Sequence, residues 1–406
     1  MRGIRSRRLA VTAGMLLPAL VLAGCGSSST SGSAGGGTTT QASGGTFKVV
    51  LLTDLSGVGA PNSKPGVSGV QAAIKKINDG GGVVGKKLDL EVLDAQSSAD
   101  TALTSAQKAV SENPLAIIMF GTSAEIAKVT PVVEGAKIPF FSGGIPDTSL
   151  YPPKATDFSV GMSAQQAAYS MATFAKSKSG GSLKDAVIDI AAINSPYVDV
   201  IIKKATELVT ADGGKITRTE RYDYGIASFA AQAGNIARDK PTVVFAMGAQ
   251  NDTIVVSKAL TSAGVTATQF GIESGSGPAV LDALKNAKFW GLTTSTYPGD
   301  NQAFLTAADA AGVKDGILGS TYSNSGWVAA YLVSAGLAKC GAGCDATKLP
   351  AALEKVSGYT IPGGVYFGPI NMSPTNHIAA TAVKFHNFDP ATGKYTDSDS
   401  IDITGK

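Results

Sequence analysis

The residues of this chain that could bind a charged group lie where a predicted helix begins. Thr122 and Ser123 directly precede a helical pattern that starts at Ala124. A helix N-terminus offers free N–H groups and the positive end of the helix dipole, so hydroxyls at this point suit a carboxylate. The same hydroxyls could instead only cap their own helix. The pattern indicates an anion-binding loop, a helix cap, or both.

A second candidate, Glu273, ends the apolar run "TQFGIE". A carboxylate buried without a partner is costly, and a cationic group of a ligand would supply that partner. The alternative is a solvated loop glutamate, because the Ser-Gly-Ser-Gly that follows is typical of a turn. We expect Glu273 to bind a cation.

Catalytic motifs are missing from the sequence. Gly57 and Gly59 open a dinucleotide-like fingerprint, but Asn62 occupies the position of its third glycine. No Gly-x-Ser-x-Gly elbow, phosphate-binding loop or metal-ligand spacing occurs. The two histidines, His377 and His386, adjoin no candidate nucleophile. We therefore predict a protein that is not an enzyme and that uses no cofactor or metal.

The elements that must position these residues alternate between apolar runs and helical patterns. "FKVVLLTD" is typical of a buried strand, and Val67, Val70, Ile74 and Ile77 then fall on one helical face. The predicted helices cover 66–79, 99–111, 124–134, 165–178, 198–210, 227–238 and 253–263. Two rounds of this alternation, separated near 158–163, predict an α/β fold with two similar lobes, each a parallel sheet flanked by helices.

Loops at the carboxyl ends of parallel strands form the ligand crevice of such sheets. The loops in question are 54–57, 121–123, 142–144, 194–197, 248–251 and 273–275. Thr122, Ser123 and Glu273 all belong to this set, so we expect them to face a common cleft.

The N-terminal segment has the features of an export signal. Four arginines before residue 9 are followed by an uncharged stretch that ends in Leu22-Ala23-Gly24-Cys25. This stretch is too short to span a bilayer, which takes ~20 residues. The ending resembles the lipobox of bacterial lipoproteins, which predicts a signal peptide over 1–24 and lipidation of Cys25; an ordinary secretory signal is the alternative. The Arg7-Arg8 pair leaves twin-arginine export open.

Export changes how charge and cysteines are interpreted. Cleavage before Cys25 removes the four arginines and takes the formal net charge from +3 to −1, so nothing indicates nucleic-acid binding. Residues 25–45 then form a flexible Gly/Ser/Thr tether.

Cys340 and Cys344 are left as a pair in an oxidising setting, separated by glycines that permit a tight turn. We expect a disulfide; a zinc half-site would need further ligands nearby.

"LLTDLSGVGA" followed by "GVSGVQAAIKKINDGGGVVGKKLDLEVLDAQ" resembles the opening of type I periplasmic binding proteins, within them most closely the branched-chain amino-acid binding family of ABC transporters. The matching features are Ser56-Gly57, Ile77-Asn78, the Gly80–Gly82 turn and Asp94. "KIPFFSGG", "TQFGIESG" and "GWVAAYLVSAGLAK" match further along, so the resemblance extends over the chain from Thr46.

The resemblance implies two lobes joined by a three-crossover hinge that close on a ligand between them. The crossovers would fall near residues 160, 297 and 360. Lobe 1 would then comprise 46–160 and 297–358, and lobe 2 would comprise 161–296 and 359–406.

The resemblance also implies roles for individual residues. Glu273 aligns with the acid that receives the amino group of the ligand, and Tyr197 with a tyrosine contributed by the second lobe. Pro146 and Gln250 depart from the family pattern, since Pro146 lacks an N–H donor and Gln250 lies in a loop where the family carries an aromatic residue. The candidate ligand-binding residues are Ser56, Thr122, Ser123, Ser142, Gly143, Gly144, Tyr197, Ala249, Gln250 and Glu273. Trp327 and Tyr331 we assign to the core.

These observations together predict a lipid-anchored, extracytoplasmic substrate-binding protein of an ABC importer. It would bind an amino acid or similar small polar solute and deliver it to permease subunits served by a separate ATPase. The alternatives are an extracytoplasmic sensor that feeds a signalling partner, and a receptor for amides, urea or aromatic acids.

Overall fold

The computed structural model describes residues 45–406, which form two α/β lobes. The first lobe contains a parallel sheet in the order β2-β1-β3-β4-β5. Its strands are β1 (Thr46–Thr53), β2 (Lys87–Asp94), β3 (Ala116–Phe120), β4 (Phe140–Ser142) and β5 (Asp157–Ser159). Every residue of β3 is buried, as expected for a central parallel strand covered by helices on both faces.

The second lobe contains a larger sheet in the order β12-β11-β10-β9-β8-β6-β7, with β13 paired to β11. Its strands are β6 (Val187–Ile193), β7 (Lys215–Tyr222), β8 (Val243–Met247), β9 (Thr268–Gly271), β10 (Phe289–Thr293), β11 (Ala382–Asp389), β12 (Lys394–Asp397) and β13 (Ile401–Asp402). β6 to β10 are parallel, whereas β11 and β12 run antiparallel to their neighbours.

Helices cover the faces of both sheets. They are α1 (Ala60–Asp79), α2 (Ala99–Ser111), α3 (Ser123–Ala136), α4 (Asp147–Leu150), α5 (Ala164–Lys178), α6 (Pro196–Ala211), α7 (Ala230–Asp239), α8 (Gln250–Ser262), α9 (Pro278–Leu284), α10 (Gln302–Ala310), α11 (Lys314–Ile317), α12 (Tyr322–Cys340) and α13 (Leu349–Leu353). Two single 3-10 turns lie at Glu273–Gly275 and Pro298–Asp300. No helix within residues 45–406 has the length and apolarity that a bilayer span requires.

The chain passes between the lobes three times, which confirms the predicted two-lobed architecture and its hinge. It crosses after β5, crosses back after β10, and returns before β11. Backbone bridges between Ser159 and Ile378 and between Ser295 and Tyr366 tie these passages to one another. The hinge is therefore a bundle of adjacent backbone segments.

Helices α1 and α12 pack closely against each other through glycines. A Cβ added to Gly326 of α12 would lie 2.0 Å from the carbonyl oxygen of Gly66. A Cβ added to Gly69 of α1 would lie 1.9 Å from the carbonyl oxygen of Ser323. Only residues without a side chain allow two helix backbones to approach this closely. Trp327 is fully buried on the same helix and Tyr331 nearly so, which confirms their assignment to the core.

Several predicted boundaries were wrong for local reasons. α1 begins at Ala60 rather than Gly66, because a proline in the first turn, Pro61, needs no N–H partner there. The strand predicted through Glu273 ends at Gly271, and Glu273 instead opens a 3-10 turn. α8 begins at Gln250, ahead of the predicted start at 253.

The two predictions that involve cysteine have different outcomes. The structure joins Cys340 to Cys344 by a disulfide, as expected. Cys25, the signal peptide and the tether fall outside the described residues, so lipidation stays a prediction.

Candidate functional site

A cavity of ≈ 90 Å³ lies between the two lobes, at the carboxyl ends of their parallel strands. Five helices begin at its wall: α1, α3 and α12 from the first lobe, and α6 and α8 from the second. Helix N-termini carry partial positive charge, so this convergence favours a negative group in the cavity. Its position is the one that the sheet topology predicts for a ligand.

The first lobe contributes the loop after β3 and the loop after β4. Thr122 caps α3: its hydroxyl accepts from the N–H of Glu125 at 3.4 Å, and the Glu125 carboxylate accepts from the Thr122 N–H at 2.6 Å. Ser123 and the backbone of Gly143 and Gly144 line the cavity beside it. Thr122 therefore caps its helix and also lines the cavity, and anion binding by this residue stays a prediction.

The second lobe contributes Glu273, which is half-buried in the cavity wall. Its Oε1 accepts hydrogen bonds from the hydroxyl of Thr294 at 2.6 Å and from the Thr294 N–H at 3.2 Å. Burial raises the pKa of Glu273, and the Thr294 bonds only partly oppose that shift. Among the cavity-lining residues of the described chain, Glu273 alone has an ionisable carboxylate or a basic side chain. Its Oε2 remains free to receive a donor from a ligand.

Aromatic and apolar side chains form most of the remaining wall. Phe120, Tyr197, Tyr224 and Tyr322 contribute rings. The Tyr197 hydroxyl donates to the carbonyl of Met162 at 3.2 Å, so its ring presents an apolar face to the cavity. Met119, Ile126, Ile193, Val198 and Ile272 complete this surface. The site therefore suits a small molecule with an apolar body and a polar end.

The two lobes contact one another around the cavity. The hydroxyls of Ser123 in α3 and Ser195, the cap of α6, lie 2.7 Å apart. Val58, on the loop between β1 and α1, approaches Gly225 on the loop after β7. The two lobes therefore touch each other directly at the rim of the cavity.

The structure brings together eight of the ten residues predicted to bind ligand. These are Thr122, Ser123, Ser142, Gly143, Gly144, Tyr197, Ala249 and Glu273. Ser56 is exposed outside the cavity, and its hydroxyl donates to Asp94 at 3.2 Å. Gln250 is the first residue of α8 and lies beside the cavity rather than in its wall.

Several lining residues were not predicted. Asn62 and Ser63 lie in the first turn of α1. They were missed because the sequence pattern predicted that this helix begins only at residue 66. Tyr322 opens α12, and Tyr224 follows β7. The loop after β7 could have been included with the other loops at strand ends, but no local pattern marks Tyr322. Within residues 45–406, no group of three or more metal-ligating side chains occurs.

Comparisons with known proteins agree with this architecture. A family model described as periplasmic binding protein matches residues 46–394. No curated protein matches the chain significantly.

Solved structures share the fold at low sequence identity. One is the branched-chain amino-acid transporter substrate-binding protein LivJ of Streptococcus pneumoniae in complex with isoleucine (TM-score 0.74, 17% identity, 88% of this chain and 100% of that one). Another is an ABC-transporter solute-binding protein of R. palustris in complex with 4-hydroxybenzoate (TM-score 0.75, 18% identity, 88% and 97%). A third is a fatty acid ABC transporter substrate-binding protein of Thermomonospora curvata (TM-score 0.75, 18% identity, 88% and 92%).

The descriptions of these proteins name chemically different ligands or substrates on one fold, so at this level of identity the likeness shows the fold alone. The family model is the stronger finding, because it spans the described chain from β1 to the start of β12. On that match, the chain belongs to the periplasmic binding protein family.

Proposed function

We propose that this protein is the substrate-binding component of an ABC importer and that its substrate is an amino acid with an apolar side chain. The ammonium group would contact the free Oε2 of Glu273, and the carboxylate would lie at the start of α3 near Thr122 and Ser123. The apolar wall would receive the side chain. The observation that carries this assignment is a single carboxylate in an otherwise uncharged cavity wall at which helices also begin.

Charge balance distinguishes this proposal from an aromatic-acid receptor. An aromatic acid would bring a carboxylate but no cation, and Glu273 would then remain without a partner. A buried carboxylate in that state costs free energy unless it is protonated. A neutral amide or urea could donate to Glu273, but it would make little use of the aromatic wall. Amides and aromatic acids are therefore the second and third candidates.

Closure of the lobes would couple binding to delivery. A ligand that contacts both lobes would favour the closed state, and the Ser123–Ser195 contact between the lobes would add to the stability of that state. The closed form would dock to a permease.

We further propose that Cys25 carries a lipid anchor that keeps the protein on the extracytoplasmic face of the membrane.

A thermal-shift screen tests the substrate class. The purified protein would be melted with L-isoleucine, L-phenylalanine, acetamide, urea, benzoate and 4-hydroxybenzoate. A compound at 100 times its Kd should stabilise the protein by ~2.7 kcal/mol, which corresponds to several degrees. A shift with the amino acids but not with the benzoates supports the proposal. A shift with the benzoates alone would contradict it and favour the aromatic-acid receptor.

A further inference from the structure

Two buried carboxyl groups, Asp54 and Glu125, meet directly behind the cavity wall. Asp54 follows β1, and Glu125 lies in the first turn of α3. Both are at least 99% buried, with exposed fractions of 0% and 1%. Because Thr53 and Phe120 are register partners, the ends of β1 and β3 place Asp54 beside the loop that leads into α3. Each carboxyl group is among the neighbours that shift the pKa of the other, which agrees with this placement.

Each carboxyl group uses only one of its oxygens for protein donors. Oδ1 of Asp54 accepts from the Ser97 N–H at 2.7 Å. Oε2 of Glu125 accepts from the N–H and the hydroxyl of Thr122 at 2.6 and 2.8 Å. Oδ2 of Asp54 and Oε1 of Glu125 are buried and have no protein donor. Buried acceptors without a donor are costly, and one proton between these two oxygens would satisfy both.

Within residues 45–406, no lysine, arginine or histidine is among the groups that most strongly shift the pKa of either carboxyl group. The charged neighbour of the pair on β2 is Asp94, which is itself negative and accepts from the N–H groups of Leu55 and Gln96. From the second lobe, the phenol of Tyr224 approaches Glu125. Burial, followed by the nearby charge of Asp54, raises the pKa of Glu125 to about 7, and burial also raises the pKa of Asp54. Two ionised carboxylates in this site would repel each other at low dielectric.

We propose that Asp54 and Glu125 share one proton and that this O–H···O contact positions the Thr122–Ser123 end of α3 at the cavity. Glu125 holds Thr122 through its other oxygen, and Ser123 contacts Ser195 of the opposite lobe. Asp54 and Glu125 are therefore positioning residues that need not touch the ligand. Only the link to ligand affinity rests on the proposed function.

The direction of the pH dependence follows from the raised pKa. In the unfolded chain Glu125 would titrate near 4.5, whereas in the folded protein it titrates near 7. The stabilisation by the shared proton is therefore complete below about pH 4.5 and is lost as the pH rises through about 7. We therefore expect the free energy of unfolding to be lower, and α3 to be held less firmly in position, above about pH 7.

Isosteric amides replace the proton with a permanent donor. In Glu125→Gln, the amide can donate to Oδ2 of Asp54 while its oxygen accepts from Thr122. In Asp54→Asn, the amide can donate to Oε1 of Glu125 while its oxygen accepts from Ser97. Either variant replaces the shared proton with an N–H donor that does not titrate and gives both unpaired oxygens a partner, so both should keep α3 in place at every pH.

The far end of α3 offers a matched control. Asp157 and Glu134 form a second carboxyl pair there, away from the cavity; Oδ2 of Asp157 has no partner, and burial raises the pKa of Asp157 to about 8. Asp157→Asn removes a buried, protonated carboxyl group of the same kind. It should change the pH dependence of stability without changing that of ligand affinity.

The experiment compares the wild-type protein with E125Q, D54N and D157N between about pH 5 and 9. Infrared spectra would record the C=O band of protonated carboxyl groups. Thermal melts would measure the stability of each protein, and calorimetry would measure its affinity for L-isoleucine. We expect a wild-type acid band at pH 6 that is diminished in both E125Q and D54N. Wild type and D157N should bind L-isoleucine at least threefold more weakly at pH 8.5 than at pH 6, whereas E125Q and D54N should not.

Three results would overturn the proposal. One is an acid band in E125Q and D54N equal to that of wild type after Asp157 is accounted for. Another is the same alkaline weakening in all four proteins. The third is stabilisation of wild type, but not of E125Q, by added Na⁺ or Ca²⁺, which would assign a cation to the pair. If L-isoleucine fails to bind at any pH, the amino-acid assignment fails, while the infrared and stability measurements still decide the shared proton. If E125Q does not fold, the same measurements on D54N still test the proposal.

Discussion

Asn62 and Ser274 connect the two lobes across the rim of the cavity. The side-chain amide of Asn62, in the first turn of α1, donates to the carbonyl oxygen of Ser274 at 3.0 Å. Its side-chain oxygen also accepts from the N–H of Gln250, the first residue of α8, at 3.4 Å. Because α1 packs on the first sheet and the two partners follow strands of the second, these bonds join the two lobes, and we expect opening of the cleft to break them.

Replacing Asn62 should therefore weaken binding by destabilising the closed form. For Asn62→Ala we expect about three- to tenfold weaker binding of the ligand found in the screen, since a net hydrogen bond contributes ~1 kcal/mol. The loss should appear mainly as faster dissociation in stopped-flow measurements. Gln302→Ala, an exposed amide on α10, is the control. Unchanged dissociation in Asn62→Ala would show that the bridge does not govern closure.

Glu273→Gln should weaken binding of an amino acid more than tenfold, that is by about 1.4 kcal/mol or more. The amide keeps the size of the side chain and can still accept from Thr294, but it loses the charge that pairs with an ammonium group. Calorimetry with the amino acid and with its deaminated acid would separate the two effects. Equal affinity of both proteins for the amino acid would remove Glu273 from the site.

The contact between α1 and α12 should tolerate no side chain at Gly326. Gly326→Ala would place a methyl group 2.0 Å from the Gly66 carbonyl oxygen, so we expect a loss of ~1–3 kcal/mol or more in the free energy of unfolding. Gly135→Ala is the matched control: an added Cβ in α3 meets nothing within 4 Å, so its effect should be a gain of up to ~1 kcal/mol. Urea denaturation measures both. Similar effects at the two positions would contradict the close approach of these helices.

Asp189 should destabilise the folded protein at neutral pH. It is fully buried in β6, neither carboxylate oxygen has a partner, and burial raises its pKa to about 6. Since the folded pKa lies above the usual 3.8, stability falls as the pH rises from about 4 through 6. Asp189→Asn should therefore raise the free energy of unfolding by ~1–3 kcal/mol near pH 7.5 and have little effect near pH 3.5. A gain of equal size at both pH values would exclude ionisation as the cause.

Cys25→Ala tests the proposed anchor. Loss of the acylated thiol should block processing or move the protein from the membrane fraction to the soluble fraction, because stable anchoring depends on acyl chains. Cys344→Ser, which breaks the disulfide but leaves Cys25 intact, is the control. Membrane association that survives Cys25→Ala would eliminate the lipoprotein assignment.

Much of the site was predictable because its signals are local. Thr122 and Ser123 were identified from a helix start a few residues away, and Glu273 from the end of an apolar run. The disulfide between Cys340 and Cys344 closes a loop of the same short range. Gln250 is not among the residues that line the cavity; α8 begins at this residue, whereas the periodicity predicted a start at 253, and a role of Gln250 in ligand binding stays a prediction.

The sequence by itself determined the alternation of strands and helices, and with it the edge of each sheet at which the ligand loops lie. That follows because periodicity, turn residues and helix caps act over a few residues. Only the tertiary structure decided which distant groups meet: Asn62 with Ser274, 212 positions apart, and Asp54 with Glu125. Such pairs depend on strand register and on the closure of one lobe against the other, and no local pattern encodes either.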